Sequence, residues 1–144
     1  MLRAMRRRAM CRTAVARALS ALAGASASLA CAQSLQCHVG WAGASRVLVV
    51  APTPADEPAL PLLEGANLSL EVINRLPPAP GAGVTVRTLG RWQGQPYLLH
   101  EAHYLPSAPA VGPHGFTGLQ TVREPTRGHL LTYWCEHAPA VAAR

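Results

Sequence analysis

Three stretches rich in proline and glycine cut the chain beyond residue 50 into short pieces: APTPADEPALP (51–61), LPPAPGAG (76–83) and LPSAPAVGPHG (105–115). Proline fixes φ and lacks the N–H that a helix interior or a central strand must donate, so these stretches read as connections. The segments between them alternate. In LQCHVGWA (35–42), Leu35, Cys37, Val39 and Trp41 fall on one side and Gln36, His38, Gly40 and Ala42 on the other. That is the period of a half-buried strand. SRVLVV (45–50) follows an Ala-Gly-Ala turn and suggests a hairpin. Further strands are predicted at 67–75, 83–92, 96–105, 118–124 and 129–137. The 96–105 segment also suits a short helix opened by Pro96, with Leu98, Ala102 and Leu105 along one side. Seven short strands with turn signals between them predict an all-β fold, a small antiparallel β-sandwich of immunoglobulin-like shape.

The N-terminus reads as an address rather than as structure. Six arginines and no acid precede a small-apolar run from Ala18 to Ala30, followed by Ala30-Cys31-Ala32. A cationic start, a short apolar middle and an A-x-A end describe a cleaved secretory signal peptide, here residues 1–32. The apolar run is shorter and more diluted than the roughly 20 residues of a permanent span. Two other readings compete: a mitochondrial transit peptide, and a bacterial lipoprotein anchored at Cys31. SLAC resembles a lipobox but carries Leu29 two residues before the cysteine instead of three. RRRAM resembles part of a twin-arginine signal without its fuller consensus. The expectation is export to the periplasm of a Gram-negative bacterium or beyond it, with an outer-membrane lipoprotein as the alternative.

Residues 33–144 are long enough for one domain with its own core. The whole chain is formally +6, from 13 basic and 7 acidic side chains. Six of the basic residues lie in the leader, so seven arginines face seven acids in the remainder, a formal balance of zero. A nucleic-acid partner would require clustered cations, and none is expected.

Two cysteines remain after the leader, Cys37 and Cys135, one in the first predicted strand and one in the last. An oxidising compartment favours their pairing. Cys135 shares a strand face with Leu131 and Tyr133, so the bridge would tie the first strand to the last within the core. The rival is a zinc site built from Cys37-His38 and Cys135-Glu136-His137. Strand phase opposes it, because His38 points away from Cys37. Tyr133-Trp134-Cys135 resembles the tyrosine corner of immunoglobulin-type domains, with Tyr two residues before a cysteine. However, Trp41 lies only four residues after Cys37, and little chain follows Cys135 for another strand.

Functional groups are sparse. HEAH (100–103) lacks a residue of the H-E-x-x-H zinc-protease motif, and on a strand its two rings lie on opposite faces. No G-x-S-x-G elbow occurs, there is no lysine, and Asp56 sits in a proline-rich loop. Glu101 and Glu136 are the carboxylates that could pair in catalysis. No enzyme activity and no cofactor are expected. The last strand is apolar on both sides, with Leu131 and Tyr133 on one and Leu130 and Trp134 on the other. It is either a central strand covered on both faces or one whose Leu130 and Trp134 face a partner, another protein or a second copy. The resulting expectation is an exported, non-catalytic binding or structural accessory protein. The alternative is a periplasmic copper- or zinc-binding protein using His100, His103, His114 and His137.

Overall fold

The computed structural model describes residues 34–139, which hold eight strands and no helix. The predicted leader, its cleavage site and Cys31 lie outside the described residues. The strands are β1 (Leu35–Trp41), β2 (Ala44–Val50), β3 (Pro61–Glu64), β4 (Leu68–Arg75), β5 (Gly83–Trp92), β6 (Gln95–Tyr104), β7 (Gln120–Arg123) and β8 (Leu130–His137). They form two antiparallel four-stranded sheets, ordered β2-β1-β8-β7 and β3-β4-β5-β6. Among the described residues, no helix is long and apolar enough to cross a membrane.

Local chemistry explains the hairpins. β1 turns into β2 through Ala42 and Gly43, and β5 into β6 through Gln93 and Gly94, all four at positive φ between 50° and 80°. Two consecutive left-handed residues make the tight turn whose twist matches that of paired strands. The second of these turns decides residues 96–105. It zips them onto β5 as a strand, with a register shift beside Leu89, so the helical alternative does not form. Leu98 and Leu105, which would have lined that helix, are instead exposed. The sequence reading omits β3, whose four residues are too few to display alternation.

The inner faces of both sheets share one core. Leu35, Cys37 and Val39 from β1 and Leu131, Tyr133 and Cys135 from β8 meet Leu68, Leu70 and Val72 from β4 and Val84 and Val86 from β5. Tyr133 is fully buried, with its hydroxyl 3.4 Å from His100 Nδ1. Burial, reinforced by the neighbouring Tyr104 phenol, holds its hydroxyl above the ordinary tyrosine range. In the first sheet, hairpins β1–β2 and β7–β8 come from opposite ends of the described chain. They join only along β1 and β8, where Cys37 stands directly opposite Cys135. The two are bonded, with an S–S distance of 2.06 Å and Cα atoms 4.1 Å apart. The bridge therefore ties neighbouring strands of one sheet, unlike the inter-sheet disulfide of antibody domains.

The β7–β8 connection is organised by Glu124, which is 1% exposed. Its carboxylate accepts hydrogen bonds from the backbone N–H groups of Thr126 (2.8 Å) and Arg127 (2.6 Å) and from the Tyr97 hydroxyl (3.2 Å). Burial pushes its pKa up, but these donors, with the Thr126 hydroxyl, outweigh burial and hold it at about 2 against an ordinary 4.5. A carboxyl depressed on folding stabilises fully above its unfolded pKa, and that contribution drains away as pH falls from 4.5 toward 2. Glu124→Gln should destabilise the protein at neutral pH and flatten the acid limb of a stability–pH profile over that interval. An unchanged acid limb would show that the carboxylate does not matter to the fold.

Candidate functional site

The outer face of the first sheet is assembled from alternate residues of its strands. β8, at its centre, contributes Leu130, Thr132, Trp134 and Glu136, while β1 contributes Gln36, His38 and Gly40. β2 adds Val47 opposite His38 and Val49 opposite Gln36. No described strand packs over this face. Leu130 is 44% exposed, Leu119, which borders the same depression as Trp134, 53%, and Val47 and Val49 55% and 65%. Large apolar side chains gathered in the open, as Val47 and Leu119 are around Trp134, are uncommon on a surface with no contact role.

Trp134 is held in place by its neighbours. The His38 ring stacks on it with centroids 3.6 Å apart and planes 5° from parallel. His114 meets it edge-on at 5.6 Å and 79°. His38 Nε2 is in turn 2.9 Å from Glu136 Oε1. Beside the indole lies a depression of about 250 Å³, bordered by Gly40, Val47, Leu119 and Thr132. Gly40 keeps it open, since a Cβ there would come within 2.5 Å of Thr132 Oγ1. The arrangement is a rigid aromatic set among aliphatic side chains. It can supply contact area at little entropic cost.

The other predicted site residues are dispersed. His100 lies on the inner side of β6 near Tyr133, and His103 on the outer side, 2.9 Å from Thr85 Oγ1. His114 belongs to the Trp134 cluster. His137 stacks on Phe116 at 4.7 Å, its Nε2 3.2 Å from the Ala108 carbonyl. Among the described residues no three His, Cys, Asp or Glu side chains come together as a metal site. The zinc alternative at Cys37 and Cys135 loses both sulfurs to the disulfide. Glu101 pairs with Arg87 on the outside of the second sheet and Glu136 with His38 on the outside of the first, so these carboxylates do not converge.

A cavity of about 580 Å³ lies at one end of the two sheets, near Arg75, Ser107 and His137. Two of its polar groups already have partners: Arg75 Nη1 donates to the Ala55 carbonyl at 2.9 Å, and His137 Nε2 lies 3.2 Å from the Ala108 carbonyl. Sequence reasoning missed Val47, Val49 and Leu119 as surface residues. The one available signal was the unbroken apolar run VLVV (47–50), which equally suits a central buried strand. Comparisons with protein-family models, with curated proteins and with solved structures return no match, so the chain's own residues carry the functional reading.

Proposed function

We propose that this chain is an exported, non-catalytic accessory protein: an immunoglobulin-shaped β-sandwich of residues 33–144, freed from a leader of residues 1–32. In this reading it works in the periplasm or outside the cell and recognises another protein through the outer face of β2-β1-β8-β7. The observation that carries the reading is the central strand β8, which holds Leu130 and Trp134 on a face with no strand packed over it, alongside exposed Leu119. The Cys37–Cys135 bridge suits an oxidising compartment. The near-neutral charge of residues 33–144 suits apolar contact better than electrostatic capture.

The test is site-specific photo-crosslinking in the producing cell. A crosslinker at Leu130 or Leu119 is expected to give a discrete adduct with another protein. The same crosslinker at Leu98, exposed on the other sheet, should give none. Trp134→Ala should weaken the Leu130 adduct while leaving the disulfide formed. Adducts of equal yield from both faces, or none from the first, would overturn the assignment.

A further inference from the structure

The four sheet edges are not alike. β7 and β3 are four residues long, and β3 starts at Pro61 with an irregular register. β6 carries Pro96, a register shift beside Leu89 and the charged Glu101. Shortness, proline, bulges and charge are the features that stop an edge from pairing with another chain. β2 has none of the first three. Its seven residues pair with β1 without a break, contain no proline, and include a single charge, Arg46.

The direction of its free backbone groups follows from the disulfide's position in the ladder. Cys135 donates its N–H to Thr117 Oγ1 (2.8 Å) and accepts at its carbonyl from the Phe116 N–H (3.1 Å), both on the side away from β1. Cys37 and Cys135 are therefore a close, non-hydrogen-bonded pair, and Cys37 turns its own groups toward Leu48 of β2. In β2 the alternate residues Ser45, Val47 and Val49 then aim their N–H and C=O groups outward. Among the described residues no strand lies beyond them.

We propose that β2 is a self-association edge that pairs antiparallel with β2 of a second copy, about a two-fold axis at Leu48. This register is self-complementary. Val47 and Val49 lie opposite Val49 and Val47 of the second copy, at the positions whose backbone groups are free. Leu48 meets its own equivalent on the inner side. The two Arg46 side chains end up four residues apart, about 13 Å along the strand, beyond the screening length of about 8 Å at physiological salt. Residues 33–144 carry no formal net charge, so no overall repulsion opposes a second copy. The two outer faces would join into one eight-stranded surface that leaves Leu119, Leu130 and Trp134 available. The pairing thus extends the proposed recognition role without depending on it.

Sedimentation of the oxidised protein over a dilution series should show two chains dissociating to one. Backbone amides of Val47 and Val49 should exchange slowly in the dimer and fast in the dilute monomer. The double variant Val47→Lys/Val49→Lys should be monomeric at every concentration with its β-sheet spectrum and disulfide retained. Val49→Pro, which removes one outward N–H, should act likewise should the lysines impair folding. A wild-type protein that stays monomeric with fast amides would overturn the proposal, as would a dimer that survives both variants. A dimer abolished by Leu130→Asp but not by the β2 variants would move the interface to the outer face. Slow amides in a monomer, released by deleting residues 140–144, would give the edge to the chain's own tail. Either of these last two results also overturns the proposal, and crosslinking from Leu130 reports on partner recognition separately.

Discussion

Removing the disulfide by Cys37→Ala/Cys135→Ala is expected to lower stability by about 4–5 kcal/mol, the loop-closure contribution of a bridge spanning about 100 residues. The bonded residues are 98 positions apart. Small domains have only about 5–15 kcal/mol in total, so the unfolding midpoint should fall by roughly 15–25 °C. The position in the topology accounts for the size of the effect. Every other strand pairing within the two sheets except β1–β8 joins consecutive strands. Without the bridge, the chain must close that one junction across nearly its whole folded length before any contact rewards it. Both sulfurs are fully buried, so reductant should act on the folded protein only as fast as it opens. Thermal unfolding of the wild type, the double variant and the reduced wild type provides the check. Midpoints that agree within a few degrees would mean that β1 and β8 hold each other without covalent help.

Much of this architecture is readable from residue order, and the exceptions have physical causes. The alternation in residues 35–41 and 130–137 places Cys37 and Cys135 on inward faces, and both are buried there. Gly83–Trp92 is one strand as its period implies. β3 is invisible because four residues on an edge carry no period, and because Pro61 reads as the end of a loop. The choice between strand and helix for residues 96–105 turns on the two-residue turn just before that segment, Gln93 and Gly94, whose positive φ angles the segment's own propensity does not contain. At the candidate site, the apolar outer side of β8 is legible, but the stacking of His38 on Trp134 is not. It depends on which strand lies beside β8, and β1 is nearly a hundred residues away in sequence. Val47 and Val49 resist reading for a related reason. An apolar run bounded by turns looks the same in a covered strand as in an edge strand, and only the sheet order separates the two.

Gly115→Ala is expected to destabilise the fold by about 2–4 kcal/mol. Residue 115 has φ +62°, where an L side chain is strained. A Cβ built on it would lie 2.1 Å from the Cys135 carbonyl oxygen and 2.7 Å from the carbonyl carbon. Both obstructing atoms are backbone, in a central strand fixed by its own disulfide, so β8 cannot step aside. The segment bearing Gly115 must move instead, and residues 116 and 117 move with it. They supply the N–H that meets the Cys135 carbonyl and the hydroxyl that accepts the Cys135 N–H. Phe116 would also leave its edge-on contact with Tyr104 and its stack on His137. Gly43→Ala is the matched control, since that glycine has φ +78° with nothing within 4 Å of an added Cβ. It should cost only the conformational penalty, about 1–2 kcal/mol. The difference between the two midpoints in chemical denaturation isolates the clash from the backbone term. Equal losses would mean that the 115–117 segment is not docked against β8. The non-hydrogen-bonded phase of the cysteine pair, and with it the outward aim of the Val47 and Val49 backbone groups, would then lose its support.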